Sequence, residues 1–153
     1  MKKTLYLVCI ALSVLQLFSC AKRLSANDLL SEFADLYCLD GVIYSPEKKV
    51  GEEGYVYEGL MERVYTYEGN FPENYAVILN ARTDFSSECG VFVCVDATQR
   101  GMIEQMCRDR IILLTGDSDG GIIIRSGLVV FYSTLDGGEN VENAWKKIIR
   151  LHS

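Results

Sequence analysis

The chain has 153 residues, 49% of them hydrophobic and 24% charged, a balance that suits one globular domain with a real core and excludes a disordered polymer. Its formal net charge of −6 excludes a general nucleic-acid-binding surface, because such a surface must attract phosphates rather than repel them. A single histidine leaves almost no material for a histidine-based triad or a histidine-rich metal site.

Lys2 and Lys3 open the chain, and an apolar run follows from Leu5 to Phe18, interrupted by Ser13 and Gln16. At 14 residues the run is shorter than the roughly 20 that cross a bilayer as a helix, so it reads as the core of a cleaved export signal. Leu17-Phe18-Ser19-Cys20 closes it and puts Cys20 where a lipoprotein signal places its diacylglyceryl-bearing cysteine. A rival cleavage, with Ser19 and Ala21 as its two small residues, releases a secreted protein beginning at Lys22. The expected organisation is a signal peptide over 1–19, a lipidated tether over 20–24 and a single α+β domain over 25–153. Loss of Lys2 and Lys3 with the signal lowers the net charge from −6 to −8, so a lipid anchor works without electrostatic help.

Ser25-Ala26-Asn27-Asp28 has the form of a capping box, and Leu29, Phe33, Leu36 and Tyr37 recur at helical spacing, predicting a helix over Ser25 to Cys38. From Val42 to Phe71 the signals conflict. Two echoes ten residues apart, Tyr55-Val56-Tyr57-Glu58-Gly59 and Tyr65-Thr66-Tyr67-Glu68-Gly69, suit an aromatic hairpin, while Leu60, Met61, Val64 and Tyr65 suit a short helix. Tyr55, Tyr57, Tyr65 and Tyr67 are the candidate ligand-binding residues. Ordinary amphipathic packing of the same rings is the competing reading.

Tyr75 to Ala81 and Gly90 to Val95 are apolar at successive positions, as strands buried on both faces are. Asp96 with Gln99 caps a helix whose inner stripe is Ile103, Met106, Cys107 and Leu114, with Glu104 and Arg108 as an outward pair. Asp117-Ser118-Asp119-Gly120-Gly121 is a loop. Ile122–Arg125 and Leu128–Tyr132, joined by Ser126-Gly127, predict a hairpin with Ile122, Ile124, Val129 and Phe131 on one apolar face. A last helix over Asn140 to Leu151 offers Val141, Ala144, Trp145 and Ile148 to cover it. The expected fold is therefore α+β: a small antiparallel sheet of about four strands with helices packed mainly on one face.

Cys38, Cys89, Cys94 and Cys107 belong to the domain. Cys94 within an apolar strand and Cys107 on a helical stripe read as core thiols; a Cys38–Cys89 disulfide is the alternative nearest the loops.

Ser87-Glu88-Cys89-Gly90-Val91-Phe92-Val93-Cys94, the following helix with Arg108-Asp109-Arg110, and Ser126-Gly127-Leu128-Val129-Val130-Phe131-Tyr132 resemble an uncharacterised family of small Gram-positive lipoproteins, the domain of unknown function numbered four-three-five-eight. The resemblance covers about the last two thirds of the chain. It implies a signal, a lipidated cysteine and one small α+β domain, and it brings no catalytic residues with it.

Paired acids occur at Glu52-Glu53 and at Asp117 with Asp119, but adjacent loop acids lack the cleft-spanning separation that glycoside hydrolysis needs. The Asp117–Gly121 loop starts like a calcium loop and lacks its closing glutamate, since position 128 is Leu128. No catalytic residues, metal or cofactor are expected. The expected function is that of a non-enzymatic, extracytoplasmic lipoprotein domain, held on the cell membrane through Cys20 and binding an envelope protein or peptide. A small-ligand or glycan-binding module built on the four tyrosines is the alternative.

Overall fold

Strands that are apolar at every position need cover on both faces, and the fold supplies it. The computed structural model describes residues 24–67, 69–81 and 87–152; the expected signal and Cys20 lie outside the described residues. The elements in chain order are α1 (Ala26–Tyr37), β1 (Ile43–Tyr44), α2 (Leu60–Tyr65), β2 (Asn74–Ile78), β3 (Cys89–Val93), α3 (Ala97–Thr115), β4 (Ile122–Ser126), β5 (Val129–Ser133) and α4 (Gly138–His152). The strands form an antiparallel sheet in the order β1-β2-β3-β5-β4, so the fold is α+β as expected.

The sheet has five strands rather than about four. The additional one is the two-residue edge strand β1, where Ile43 pairs with Ile78 and Tyr44 with Val77. The helices also lie on both faces instead of mainly one. Side chains alternate along a strand, so Ala76, Ile78, Val91, Val129 and Phe131 pack with α1 and α4, while Tyr75, Val77, Phe92, Val130 and Tyr132 pack with α2 and α3. The expected hairpin face is real, but its reverse is equally apolar, and one helix layer would have left it wet.

On the first face Trp145 is fully buried and stacks on Phe131 at 4.3 Å, with Phe33 completing the cluster at 6.5 Å from the indole. Val141 and Ile148 are buried beside Trp145 as the helical spacing predicts. On the second face Ile103, Met106, Cys107 and Ile111 are buried; Leu114, expected on this stripe, is only half-buried because Ile111 continues the four-residue spacing. Glu104 does not form an outward pair with Arg108. It is buried at the sheet edge, 3.3 Å from Arg100 and 3.7 Å from Arg125 on β4, where it offsets two cations.

Local chemistry sets the boundaries. Ser25 Oγ accepts from Asp28 N at 3.1 Å and opens α1, and Cys38 closes it in the left-handed region at φ 51°. Asp96 Oδ1 caps α3 by accepting from Gln99 N at 2.8 Å, and Gln99 Oε1 accepts from Val95 N at 2.9 Å, one residue before the N-cap amide that a capping box closes on. In the β4–β5 hairpin Ser126 pairs with Val129, so the loop is Gly127-Leu128, one residue later than expected. Gly127 there has φ +62°, which glycine adopts at little cost. Moving both loop residues by one shifts each cross-strand partner by two, so the residues on each face are unchanged.

Candidate functional site

The most organised polar cluster joins three elements across the second face. Glu88 immediately precedes β3, Arg110 lies on α3 and Tyr132 on β5. Arg110 Nε donates to Glu88 Oε1 at 2.9 Å and Nη2 to Oε2 at 2.6 Å, a bidentate pair, while Nη1 donates to the Val64 carbonyl at 3.1 Å. The Tyr132 hydroxyl donates to Glu88 Oε1, which leaves its oxygen free to accept. Tyr65 on α2 fills that role, its hydroxyl 2.6 Å away, and its ring lies 5.5 Å from the Arg110 guanidinium. The main chain of Glu88 is held as well: its N–H donates to Thr134 Oγ1 at 2.8 Å, and its carbonyl accepts from Thr134 N at 2.9 Å.

Burial, followed by the neighbouring Glu88 charge, pushes Tyr65 far above the usual phenol range. Tyr132 is pushed the same way, first by burial and then by Tyr65 and Glu88. Hydrogen bonding to Glu88 raises Arg110, so its charge is fixed. The relay Tyr65 to Tyr132 to Glu88 therefore keeps its protons near neutrality, and both Glu88 oxygens are occupied. Its chemistry is that of a structural joint.

Acids close together in sequence do not reveal this joint, because Glu88 and Arg110 lie 22 residues apart. The signal was present on α3: Arg110 falls on the same helical stripe as Ile103, Met106 and Cys107, and an arginine on a buried stripe requires a counter-ion.

The four candidate tyrosines do not share one surface. Leu60, Met61, Val64 and Tyr65 take the helical alternative, and Met61 and Tyr65 turn inward, so Tyr65 is a core residue. Tyr67 is half-buried and lines a cleft of about 280 Å³ with Asn70, Val95, Gln99 and Met102. Tyr55 and Tyr57 are exposed in the loop beyond β1, where Arg63 lies 5.7 Å from the Tyr57 ring. Ser45 N donates to the Gly54 carbonyl at 3.2 Å and secures this loop against β1. Beside it an open cleft of about 590 Å³ is lined by Asp40, Lys48, Glu52 and Glu53 together with the backbone leading into β1.

Asp117 and Asp119 form a turn: Asp119 N donates to Asp117 Oδ1 at 3.0 Å, which uses the first carboxylate internally. Among the described residues no group of three or more His, Cys, Asp or Glu is placed to hold a metal ion. The four domain cysteines are free, with Cys38 exposed and Cys89, Cys94 and Cys107 buried, so the Cys38–Cys89 disulfide is not formed. No helix among the described residues is long and apolar enough to cross a membrane. No family model, curated protein or solved structure matches the chain.

Proposed function

We propose that this chain is an extracytoplasmic lipoprotein domain, held on the cell membrane through Cys20, that binds an envelope protein or peptide and does not itself catalyse a reaction. The observation carrying the binding reading is the flank beyond β1. Tyr55 and Tyr57 are exposed there, Val50 is 81% exposed, and the adjoining cleft is lined by Asp40, Glu52 and Glu53 alongside Lys48. Aromatic anchors beside an acidic recess suit a partner segment with apolar and basic side chains, since the rings supply contact area and the acids supply orientation.

The experiment is crosslinking from intact membranes with a photoreactive residue at position 57. A discrete adduct that disappears with Tyr55→Ser, while the melting temperature stays at its wild-type value, supports the reading. Absence of an adduct from position 57 in cells carrying lipidated protein overturns it.

A further inference from the structure

The end of the domain where the chain joins the fold is also where unpaired aliphatic side chains gather. Leu24 is pinned by its carbonyl, which accepts from Asn74 Nδ2 at 2.7 Å, and Ala26 N donates to Asn74 Oδ1 at 2.9 Å. Asn74 opens β2 opposite Val93 at the close of β3, and Val93 pairs with Val129 at the start of β5. The Gly127-Leu128 tip therefore lies at this same end. Cys94 N donates to the Leu128 carbonyl at 2.9 Å, which puts Val95 next to the tip. The last turn of α4 arrives here too, because Leu24, Gly127, Ile149 and His152 line one cleft of about 330 Å³. Val95 and Leu151 are each 73% exposed and Leu128 is 39% exposed.

The distance to the anchor is short. From Cys20 to Leu24 is four residue steps, and a fully extended chain covers at most about 3.5 Å per step, so the reach is about 14 Å. A lipidated Cys20 would thus hold this end, and not the opposite one bearing Leu36 and Leu113, against the bilayer. We propose that the Val95, Leu128 and Leu151 end is a membrane-contact surface, seated on the outer leaflet with these three side chains in the interfacial region.

The occupant is a lipid surface rather than a protein, because tether length permits little else between this end and the headgroups. Interfacial insertion reaches about 5–10 Å, within what exposed aliphatics at a hairpin tip and a helix end can span. Arg150, beside Leu151, is exposed and can keep its charge among the headgroups while its stem lies flat, whereas Arg125, near the hairpin tip, is held by Glu104.

This inference rests on the lipidation of Cys20, and the test separates the two. Leu128→Trp, Leu151→Trp and Leu113→Trp are made singly in full-length protein, purified from membranes and reconstituted into phosphatidylcholine–phosphatidylglycerol vesicles with brominated acyl chains. The native Trp145 is fully buried and common to all three variants, so it serves as a constant background. Mass analysis of the N-terminal peptide reports lipidation of Cys20. The expected result is that tryptophans at 128 and 151 lose most of their emission to bromine while that at 113 keeps it. Lipidated protein that floats with the vesicles but shows equal quenching at all three positions, or none at 128 and 151, overturns the orientation and leaves the anchor standing. An unmodified Cys20 overturns the anchor and the orientation together.

Discussion

Phe131 and Tyr132 are neighbours on β5 and head opposite cores: Phe131 stacks on Trp145 at 4.3 Å, and Tyr132 donates its hydroxyl to Glu88 on the other side of the sheet. One strand therefore ties an apolar layer to a polar joint, and damage to each layer should read out differently.

Trp145→Ala should destabilise the domain by about 3–5 kcal/mol, since it empties a fully buried site in contact with Phe131 and Phe33. Trp145→Phe should cost much less. The indole Nε1 is buried with no hydrogen-bond partner among the described residues, so its removal breaks no bond and relieves an unmet donor. Urea denaturation of both variants checks this, and an alanine variant within about 1 kcal/mol of wild type would show that α4 is not docked as described.

Arg110→Met should be among the most damaging single changes, at about 3–5 kcal/mol, because it strands a buried carboxylate that has lost both guanidinium bonds. Glu88→Gln in the same chain should recover part of the loss, as the stranded charge is then gone. A double-mutant cycle by chemical denaturation measures the coupling. Additive losses would mean that Glu88 and Arg110 are energetically independent, contrary to a bidentate pair with 2.6 and 2.9 Å bonds.

These two layers differ in how far they could be read in advance. Trp145 against Phe131 was legible because helical and strand periodicities each mark a face by residue type alone. The hairpin faces survived a loop placed one residue early, since side-chain alternation has period two and the partner shift was two. The second helix layer was harder to see: Val77, Phe92 and Val130 interleave with their first-face neighbours, and a continuous apolar run does not say how many layers will cover it. Tyr65 and Glu104 were misplaced for a shared reason. Each looks like a surface residue locally and is buried only because a distant element arrives, Tyr132 in one case and Arg125 in the other. The binding flank depends on loop residues between β1 and α2, whose path follows from the Ser45–Tyr55 bridge and Gly59 at φ +74°, long-range and conformational facts that periodicity does not encode.

Thiol accessibility should divide the described cysteines sharply. Cys38 caps α1 on the surface, whereas Cys89, Cys94 and Cys107 are enclosed. In the native domain a maleimide should label Cys38 within the mixing time and the other three only after denaturant is added. Mass spectrometry of the native reaction checks it, and rapid native labelling of Cys89 or Cys107 would contradict the enclosure of both cores.

Alkaline pH should unfold the domain early. Burial pushes Cys94 up to about 11 and Tyr75 up to about 12, and it raises Cys89, Cys107, Tyr65 and Tyr132 as well. In the unfolded chain thiols release their protons near about 8.5 and phenols near about 10. Above about pH 8.5 the unfolded state therefore binds fewer protons than the folded one, and stability falls as pH rises. It is fully present below that point, so no loss from these groups is expected between pH 6 and 8. The fully enclosed Cys89 and Cys107 each contribute up to about 1.4 kcal/mol of loss per pH unit once the unfolded thiols have titrated. Melting temperatures measured at intervals from pH 7 to 11 should be level at first and then drop, more steeply past pH 10 as phenols join. Cys89→Ala should flatten the first part of that drop. A melting temperature that stays constant to pH 10.5 would mean that these thiols and phenols ionise as easily folded as unfolded, and would overturn the burial on which both cores depend.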